Sequence, residues 1–312
     1  MTEPVLVEVE RSGLVESVHR GSLVITAPDG SVIHEVGDVT SPVFPRSSTK
    51  PLQGVGMLRA GLDHDGADLA LACGSHSGEP GHVERVAAML AAAGLDESAL
   101  ACPPAYPLHE PTMHAATEPL RVTMNCSGKH AGMLATCVAA GWPTDGYEQP
   151  GHPLQKALAD TVVELTGEPI ATTGVDGCGA PLFAYSLTGL ARAFGRLVQA
   201  SAGSEELRVA DAMRAHPWLV AGTDREDTAL MGAVPGLLSK IGAEGVLAFA
   251  LADGTAVALK MSDGAKRGCA PLAVAVLAYL GVDVSDLEAL ANPPVLGGGR
   301  PVGRLRVSWS AP

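Results

Sequence analysis

Residues 23–36 read LVITAPDGSVIHEV, two apolar runs on either side of Pro28-Asp29-Gly30. Aspartate followed by glycine between two such runs is a strong signal for a β-hairpin, because glycine readily takes the positive φ that tight turns require. A similar pattern occurs late in the chain, where residues 246–251 and 255–259 flank Asp253-Gly254. The sequence therefore predicts antiparallel strands toward both ends of the chain.

The region between these hairpins has a different pattern. Residues 82–93, 154–165 and 190–198 read as helices, and the loops between them are rich in Gly, Pro, His and Cys. Another helix is predicted from residue 266 to residue 280. We therefore predict an α+β fold, in which one antiparallel sheet is built from N- and C-terminal strands and a helical region lies between them.

A chain of 312 residues can form a sizeable core, and 46% hydrophobic with 18% charged residues is ordinary globular composition. We predict a single domain over residues 1–312. Within it, residues 1–50 and 235–312 would form a sheet subdomain and residues 51–234 a mainly helical subdomain.

Charge and composition narrow the classes of partner. The net charge is −13 and only 4% of residues are aromatic, so neither nucleic acid nor an anionic membrane is an expected partner. The first residues lack the basic and apolar regions of a signal peptide, which predicts a cytoplasmic protein. Its six cysteines are then expected to stay reduced, as core residues or metal ligands.

Residues 45–51 read PRSSTKP and place Ser47 three positions before Lys50. Residues three apart share one face of a helix, so the lysine amine could activate the serine hydroxyl as a nucleophile. Pro51 lacks the N–H that would bond the carbonyl of Ser47, so the helix should begin near Ser47, where its dipole favours an alkoxide. The pattern equally fits an N-capping serine followed by a surface lysine.

A second polar cluster, residues 73–79, follows the apolar run 69–72 and reads CGSHSGE. It could line a pocket or form a turn before the next helix. A third polar segment, residues 223–228, contains Arg225, which could pair with Asp227, bind a substrate carboxylate or form a surface ion pair.

Two cysteines lie in glycine-containing turns with charged neighbours: Cys126 in NCSGKH (125–130) and Cys178 in DGCG (176–179). Thiolates from separate loops are common zinc ligands, and a site with open positions is favoured because the chain lacks Cys-x-x-Cys and His-Glu-x-x-His motifs. Lys129 could bind the same ion if deprotonated, and Asp176 could orient a ligand or hold a substrate amine. The pattern is also compatible with two buried cysteines and no metal.

Together and in this order, the motifs resemble those of the bacterial L-asparaginase II family of the Rhizobium etli inducible type. The Cys-Ser-Gly-Lys-His and Asp-Gly-Cys segments are specific to that family, whereas Ser-x-x-Lys is much more widespread. The matching elements extend over most of the chain and comprise Arg46-Ser47-x-x-Lys50, Ser75-His76, the segment 125–130, Asp176-Gly177-Cys178 and Lys260-Met261-x-Asp263-Gly264.

The resemblance implies a fold like that of serine β-lactamases and glutaminases, and two Ser–Lys pairs. Ser47 and Lys50 would form one pair, with Ser47 as the nucleophile, and Ser75 and Lys260 would form the other. A further similarity, to the Lys-x-Gly strand element of penicillin-recognising enzymes, places Lys240 near the pocket wall.

The resemblance also implies a zinc ion on Cys126, Lys129 and Cys178, with water completing its coordination. Arg46, His130 and Asp176 would order the pocket and bind substrate. Members of this family tend to assemble as homodimers, so a homodimer is expected.

The activity predicted from these residues is that of an L-asparaginase, which hydrolyses L-asparagine to L-aspartate and ammonia. A glutaminase is also possible on these residues, because one methylene is worth only ~1–3 kcal/mol of discrimination. The motifs are compatible as well with a different Ser-x-x-Lys hydrolase, acting on β-lactams or peptidoglycan, and with a non-catalytic protein that binds small amino acids.

Overall fold

Both predicted hairpins are present in the structure, a computed structural model that describes residues 3–309. In the first turn the carboxylate of Asp29 accepts a hydrogen bond of 2.9 Å from the backbone N–H two residues later, and Gly30 has a φ of 81°. In the second turn Asp253 does the same at 2.9 Å, and Gly254 has a φ of 92°. The two turns are closed by the same physical device, which explains why the sequence predicted both.

Within residues 3–309 there are ten strands: β1 (Val5–Arg11), β2 (Leu14–Thr26), β3 (Val32–Val36), β4 (Thr172–Val175), β5 (Pro181–Ala184), β6 (Leu238–Ile241), β7 (Val246–Ala250), β8 (Ala256–Met261), β9 (Pro294–Gly297) and β10 (Arg300–Val307). Eight form one antiparallel sheet in the order β6-β7-β8-β2-β1-β10-β9, with β3 paired to the second half of β2. The remaining two, β4 and β5, form a separate hairpin. The predicted α+β class and the sheet built from both ends of the chain are confirmed.

The described chain also has twelve α-helices: α1 (Lys50–Arg59), α2 (Gly66–Ala72), α3 (Pro80–Ala92), α4 (Glu110–Ala115), α5 (Ser127–Ala140), α6 (Pro153–Thr166), α7 (Leu187–Gln199), α8 (Glu205–Ala215), α9 (Pro217–Val220), α10 (Glu226–Ala233), α11 (Cys269–Tyr279) and α12 (Glu288–Ala291). The four predicted helices correspond to α3, α6, α7 and α11. None of the helices in residues 3–309 has the length and apolar character needed to cross a bilayer. The division into two subdomains stays a prediction.

The two faces of the sheet carry side chains of different size. Ala248 and Ala258 belong to the core shared with the helical region, whereas Phe249 and Leu259 belong to the core shared with α11. The small face allows α7 to pack closely on the sheet: a Cβ at Gly195 would lie only 2.9 Å from a backbone oxygen of the β7–β8 turn. The period-two alternation of the strands thus produces two separate cores.

A short 3-10 helix, Arg46–Thr49, leads directly into α1 and rests on the end of β6. Gly242 permits this contact, because a Cβ there would lie 2.5 Å from the carbonyl oxygen of Pro45. Pro51 lies in the first turn of α1, so the helical segment does begin near Ser47, as the missing N–H predicted. This junction between helix and sheet is where most of the predicted site residues meet.

Candidate active site

Lys50, the first residue of α1, has a side chain that points into the protein interior and is only 1% exposed. Its Nζ donates to the Gly74 carbonyl at 2.5 Å, to Ser75 Oγ at 2.9 Å and to Cys126 Sγ at 3.1 Å. No carboxylate within residues 3–309 forms a salt bridge with it. The amine is therefore held by neutral groups, one of which is a serine hydroxyl.

The serine that Lys50 contacts differs from the one that the resemblance implied. Ser47 is half-buried in the 3-10 helix, and its hydroxyl forms no hydrogen bond to another described residue. Lys50 reaches Ser75 because α1 directs its side chain towards the loop that follows α2. The expected Ser47–Lys50 hydrogen bond is thus replaced by a Ser75–Lys50 hydrogen bond.

Lys260 also has a different partner from the expected Ser75. Its Nζ donates to the backbone carbonyls of Glu244, at 2.8 Å, and Met261, at 3.3 Å. The reason is its place on β8 beside the β6–β7 turn, whose carbonyls are within reach of the side chain. The second Ser–Lys pair is not formed in this conformation, and the catalytic role of each of these residues stays a prediction.

Ser75 is positioned by backbone contacts on both sides of the loop. Its N–H donates to the carbonyl of Val220 at 2.7 Å, and the next N–H, of His76, donates to Asn125 at 3.1 Å. The loop is therefore clamped between the end of α9 and the segment that precedes α5. This clamp holds the Ser75 hydroxyl beside the Lys50 amine.

The three predicted metal ligands converge in one buried place. Cys126 directly precedes α5, Lys129 lies in its first turn, and Cys178 lies in the turn between β4 and β5. Lys129 Nζ donates to Cys178 Sγ at 3.1 Å, while Lys50 Nζ contacts Cys126 at the same distance. Two loops from distant parts of the sequence thus bring two thiols and two amines together.

The electrostatics of this cluster favour a thiolate at Cys178. Hydrogen bonding from the neighbouring Cys126 thiol lowers the pKa of Cys178 well below its usual range, and the Lys129 ammonium acts in the same direction. Burial acts to lower the pKa of Lys129, but the attraction of the two sulfur atoms raises it. The hydrogen bond between the thiols and burial raise the pKa of Cys126. One negative sulfur is therefore shared within a buried cationic pocket.

The donor set suits a soft metal ion, provided that lysine takes part. Within residues 3–309 no three His, Cys, Asp or Glu side chains are grouped so that they could hold a metal. Two thiols with a deprotonated Lys129 amine would supply one nitrogen and two sulfurs, and zinc accepts both kinds of ligand. The residues thus fit the zinc expectation in donor chemistry, and zinc itself stays a prediction.

His130 lies beside this cluster, fully buried on α5. Its Nδ1 and the hydroxyl of Tyr147 are 2.6 Å apart, and that hydroxyl also accepts from the backbone N–H of Ala101 at 3.0 Å. Its Nε2 has no hydrogen-bond partner among the described residues. Burial lowers the pKa of His130, so the ring is a fixed neutral wall of the pocket.

Arg46 and Asp176, both predicted to bind substrate, pair with one another. Arg46 Nε donates to Asp176 Oδ1 at 2.7 Å, and Glu244 lies 3.7 Å from the same guanidinium. The φ of Arg46 is 54°, a left-handed conformation that is uncommon for a residue with a side chain. Together with Lys260, Arg46 and Glu244 line a cavity of about 420 Å³. The pair therefore lies between that cavity and the sulfur cluster.

A third buried lysine was placed near the pocket wall by the sequence, but without a role. Lys240, on β6, is 0% exposed, and its Nζ lies 3.0 Å from Asp227 Oδ2. Asp227 also accepts from Ser239 Oγ and from the backbone N–H of Ile241, both at 2.9 Å. Burial lowers the pKa of Lys240 to about 8, against the attraction of Asp227. The Lys-x-Gly similarity indicated Lys240, but no sequence signal identified its partner.

Arg225 is consequently not paired with Asp227. Its Nη1 donates to Ser77 Oγ at 3.3 Å and its Nε lies 3.4 Å from the Glu226 carboxylate. The side chain is 18% exposed, so it is more buried than a surface ion pair would be.

The chain is similar in sequence to a known protein family. The family model for L-asparaginase II matches residues 7–307. A comparison with curated protein sequences finds no match. The solved structures that are similar to this chain include a β-lactamase from Mycobacterium bovis, at 15% identity and a TM-score of 0.48, which covers 83% of this chain and 94% of its own.

Two further solved structures are also similar to this chain. Mglu in its native form is 12% identical, with a TM-score of 0.49, and covers 92% of this chain and 71% of its own. A Bacillus subtilis glutaminase, in covalent complex with 5-oxo-L-norleucine, is 12% identical, with a TM-score of 0.41, and covers 85% of this chain and 89% of its own. Likenesses this distant do not bear on the chemistry of the site.

Proposed function

Because this chain belongs to the L-asparaginase II family, we propose that it hydrolyses L-asparagine to L-aspartate and ammonia by serine catalysis. Membership makes it an amidohydrolase, and the choice of asparagine over glutamine is part of the proposal. The observation that supports serine catalysis is the buried Lys50 amine, which contacts the Ser75 hydroxyl and has no carboxylate partner within residues 3–309.

The proposed reaction begins at Ser47, whose half-buried hydroxyl is free to meet a substrate. Its oxygen bonds to the side-chain amide carbon of asparagine, and its proton passes to Lys50, which acts as the general base. The tetrahedral intermediate then breaks its C–N bond, and the same proton leaves with ammonia. Water hydrolyses the resulting aspartyl ester by the reverse sequence of proton transfers. Ser75 keeps the Lys50 amine in place and supplies a hydrogen-bond donor near the developing oxyanion.

The finer features of the proposal follow the resemblance to the Rhizobium etli inducible type. Cys126, Lys129 and Cys178 would hold zinc, which when bound would polarise and orient the substrate. Arg46 and Asp176 would order the mouth of the pocket. A cytoplasmic homodimer is the form of the enzyme that we propose.

Two neighbouring serines provide a matched test of the nucleophile. Ser48 is buried and donates to the Lys240 carbonyl at 2.9 Å, so Ser48→Ala should keep its activity and lose about 1 kcal/mol of stability. Ser47→Ala should lower ammonia release from asparagine at least ~10³-fold. Mass spectrometry after treatment with a diazoketone analogue of asparagine should find the adduct on Ser47.

Near-wild-type turnover by Ser47→Ala, with the adduct on Ser75, would transfer the nucleophile role to Ser75. Ammonia release from glutamine at a higher kcat/KM than from asparagine would make the enzyme a glutaminase. A thermal shift with asparagine but no ammonia would make it a binding protein. The zinc site is tested by comparing the metal content of the purified wild-type protein with that of Cys126→Ser and Cys178→Ser. An equal and negligible metal content in all three would contradict the proposed zinc site.

A further inference from the structure

The cationic side chains around the buried cluster differ in how their charge is balanced. Arg46 has two carboxylate neighbours and Lys240 has one at 3.0 Å. Lys129 contacts a sulfur whose ionised form is favoured. Arg225 has only two loose contacts, at 3.3 and 3.4 Å, which are beyond the usual 2.7–3.2 Å range of such hydrogen bonds. Of these four side chains, Arg225 therefore has the guanidinium or amine least committed to the protein.

Arg225 contacts the loop that contains Ser75, the serine in contact with Lys50. It contacts Ser77, which is two residues from Ser75, so the Cα atoms of the two serines are at most about 7 Å apart. Burial lowers the pKa of His76, which lies between them, and the charges of both Lys50 and Arg225 add to this effect. Burial lowers the pKa of Lys240 too, and the charges of the same two residues add to this effect. The charges of Lys50 and Arg225 therefore both lower the pKa values of His76 and Lys240.

The neighbours of Arg225 in the chain face other parts of the protein. Asp224 and Glu226, on either side of it, line a different cavity of about 430 Å³, whereas Asp227 is buried against Lys240. Thr223 fixes the start of this segment, because its N–H and hydroxyl donate to the carboxylate of a buried glutamate at 2.9 and 2.7 Å. The guanidinium thus lies beside Ser77 in a segment that Thr223 anchors, while its own hydrogen bonds stay weak.

We propose that Arg225 binds the α-carboxylate of the amino-acid substrate and so sets the specificity of the site for free amino acids. This inference rests on the proposed function. In asparagine three C–C bonds of about 1.5 Å separate the amide carbon from the carboxylate carbon, a span of about 4 Å. In this proposal the amide lies at the Ser75–Lys50 contact and the carboxylate at Arg225, beside Ser77. A guanidinium can bind a carboxylate through two parallel hydrogen bonds.

Arg46 is the other arginine near the site, but its charge is already paired with the carboxylate of Asp176. Its 2.7 Å contact with Asp176 would have to break before it could bind a carboxylate. Arg225 would give up only the two contacts of 3.3 and 3.4 Å. The exchange of partners is therefore less costly at Arg225, and Arg46 is left to shape the pocket.

The test compares two substrates that differ only in the carboxylate, L-asparagine and 3-aminopropanamide. For Arg225→Gln we expect KM for asparagine to rise 10- to 100-fold, with a smaller change in kcat, because a hydrogen bond to a charged group is typically worth about 1.5–3 kcal/mol. Turnover of 3-aminopropanamide should be the same in wild type and variant. Arg225→Lys should recover part of the loss, and Arg85→Gln, which alters an exposed ion pair with Asp68, should change nothing.

Binding of the two compounds, measured by calorimetry on wild type and Arg225→Gln, separates this inference from the proposed function. If wild type releases no ammonia but binds asparagine at least tenfold more tightly than the variant does, the asparaginase proposal fails and the role of Arg225 stands. If both compounds lose affinity and turnover equally in Arg225→Gln, or if neither is affected, Arg225 does not bind the carboxylate.

Discussion

Lys50 and Lys240 are both buried beside the same junction of helix and sheet, yet their surroundings differ. Lys240 lies 3.0 Å from Asp227, which in turn accepts hydrogen bonds from the β6 backbone and from Ser239. Lys50 contacts a carbonyl, a hydroxyl and a thiol, and has no salt bridge within the described chain. Burial alone therefore does not indicate the role of a lysine, whereas the charge of its partner separates these two.

The energetic reason lies in the cost of burying charge. A buried ion pair recovers part of its desolvation cost from its own attraction, so the Lys240–Asp227 pair can be kept for the fold. An amine without a carboxylate has no such compensation, and a protein that keeps one is usually using its chemistry. The contrast predicts that substitutions at the two lysines will affect different measurements.

The largest effect is expected at Lys50. Lys50→Met should reduce ammonia release at least ~10³-fold, within the range by which general bases contribute to catalysis. The free energy of unfolding should change little, because no buried carboxylate loses its partner. Steady-state ammonia assays and chemical denaturation measure the two quantities. Turnover within tenfold of wild type would show that Lys50 is not the base.

The next effect is on folding. Asp227→Ala leaves the Lys240 ammonium buried without its partner, and should lower the free energy of unfolding by about 3–5 kcal/mol in denaturant titrations. The double substitution Asp227→Leu with Lys240→Met removes both charges and should recover most of that loss. If Asp227→Ala costs less than 1 kcal/mol, Lys240 does not depend on this ion pair, and the contrast between the two lysines disappears.

The smallest effect is a difference in pH dependence. Burial lowers the pKa of Lys240 to about 8, whereas an unfolded lysine keeps its proton to about pH 10.4. Between these values the unfolded chain binds more protons, so this lysine makes stability rise with pH. Wild type should therefore gain stability relative to the double variant from about pH 8 to pH 10. A relative loss over that window would mean that the native pKa of Lys240 is raised.

Local patterns predicted much of the fold, and the reason is visible in the two hairpin turns. Asp29 and Asp253 each close their own turn through a contact two residues away, so a short window of sequence contains all the relevant information. The helices α3, α6 and α7 follow from the spacing of their own apolar residues. The pairing of β1 with β10 is not encoded in this local way, and only the need of strands to share a sheet indicates it.

The candidate site was predicted less completely, because its contacts join distant segments. Ser-x-x-Lys spacing predicted a contact between Ser47 and Lys50, but tertiary packing directed the Lys50 amine to Ser75. Lys240 and Asp227 lie on different elements, 13 positions apart, and no spacing rule links them. Ligand chemistry suggested a shared zinc site for Cys126 and Cys178, and the family motifs implied the same set, but no spacing rule places the two loops side by side.

The pairing of β1 with β10 has a consequence for synthesis. Val7 lies opposite Val307. During translation, β1 therefore cannot pair with β10 until a segment 300 positions later has been synthesised. At translation rates of about 5–20 residues per second this wait is about 15 to 60 s, during which one edge of the nascent sheet is open to chaperones or to other chains. The strands β6, β7 and β8 continue the sheet from β2 and precede β10 in the chain, so they are synthesised before it. The half of the sheet next to the candidate active site can thus be assembled on the ribosome while the other half is still incomplete.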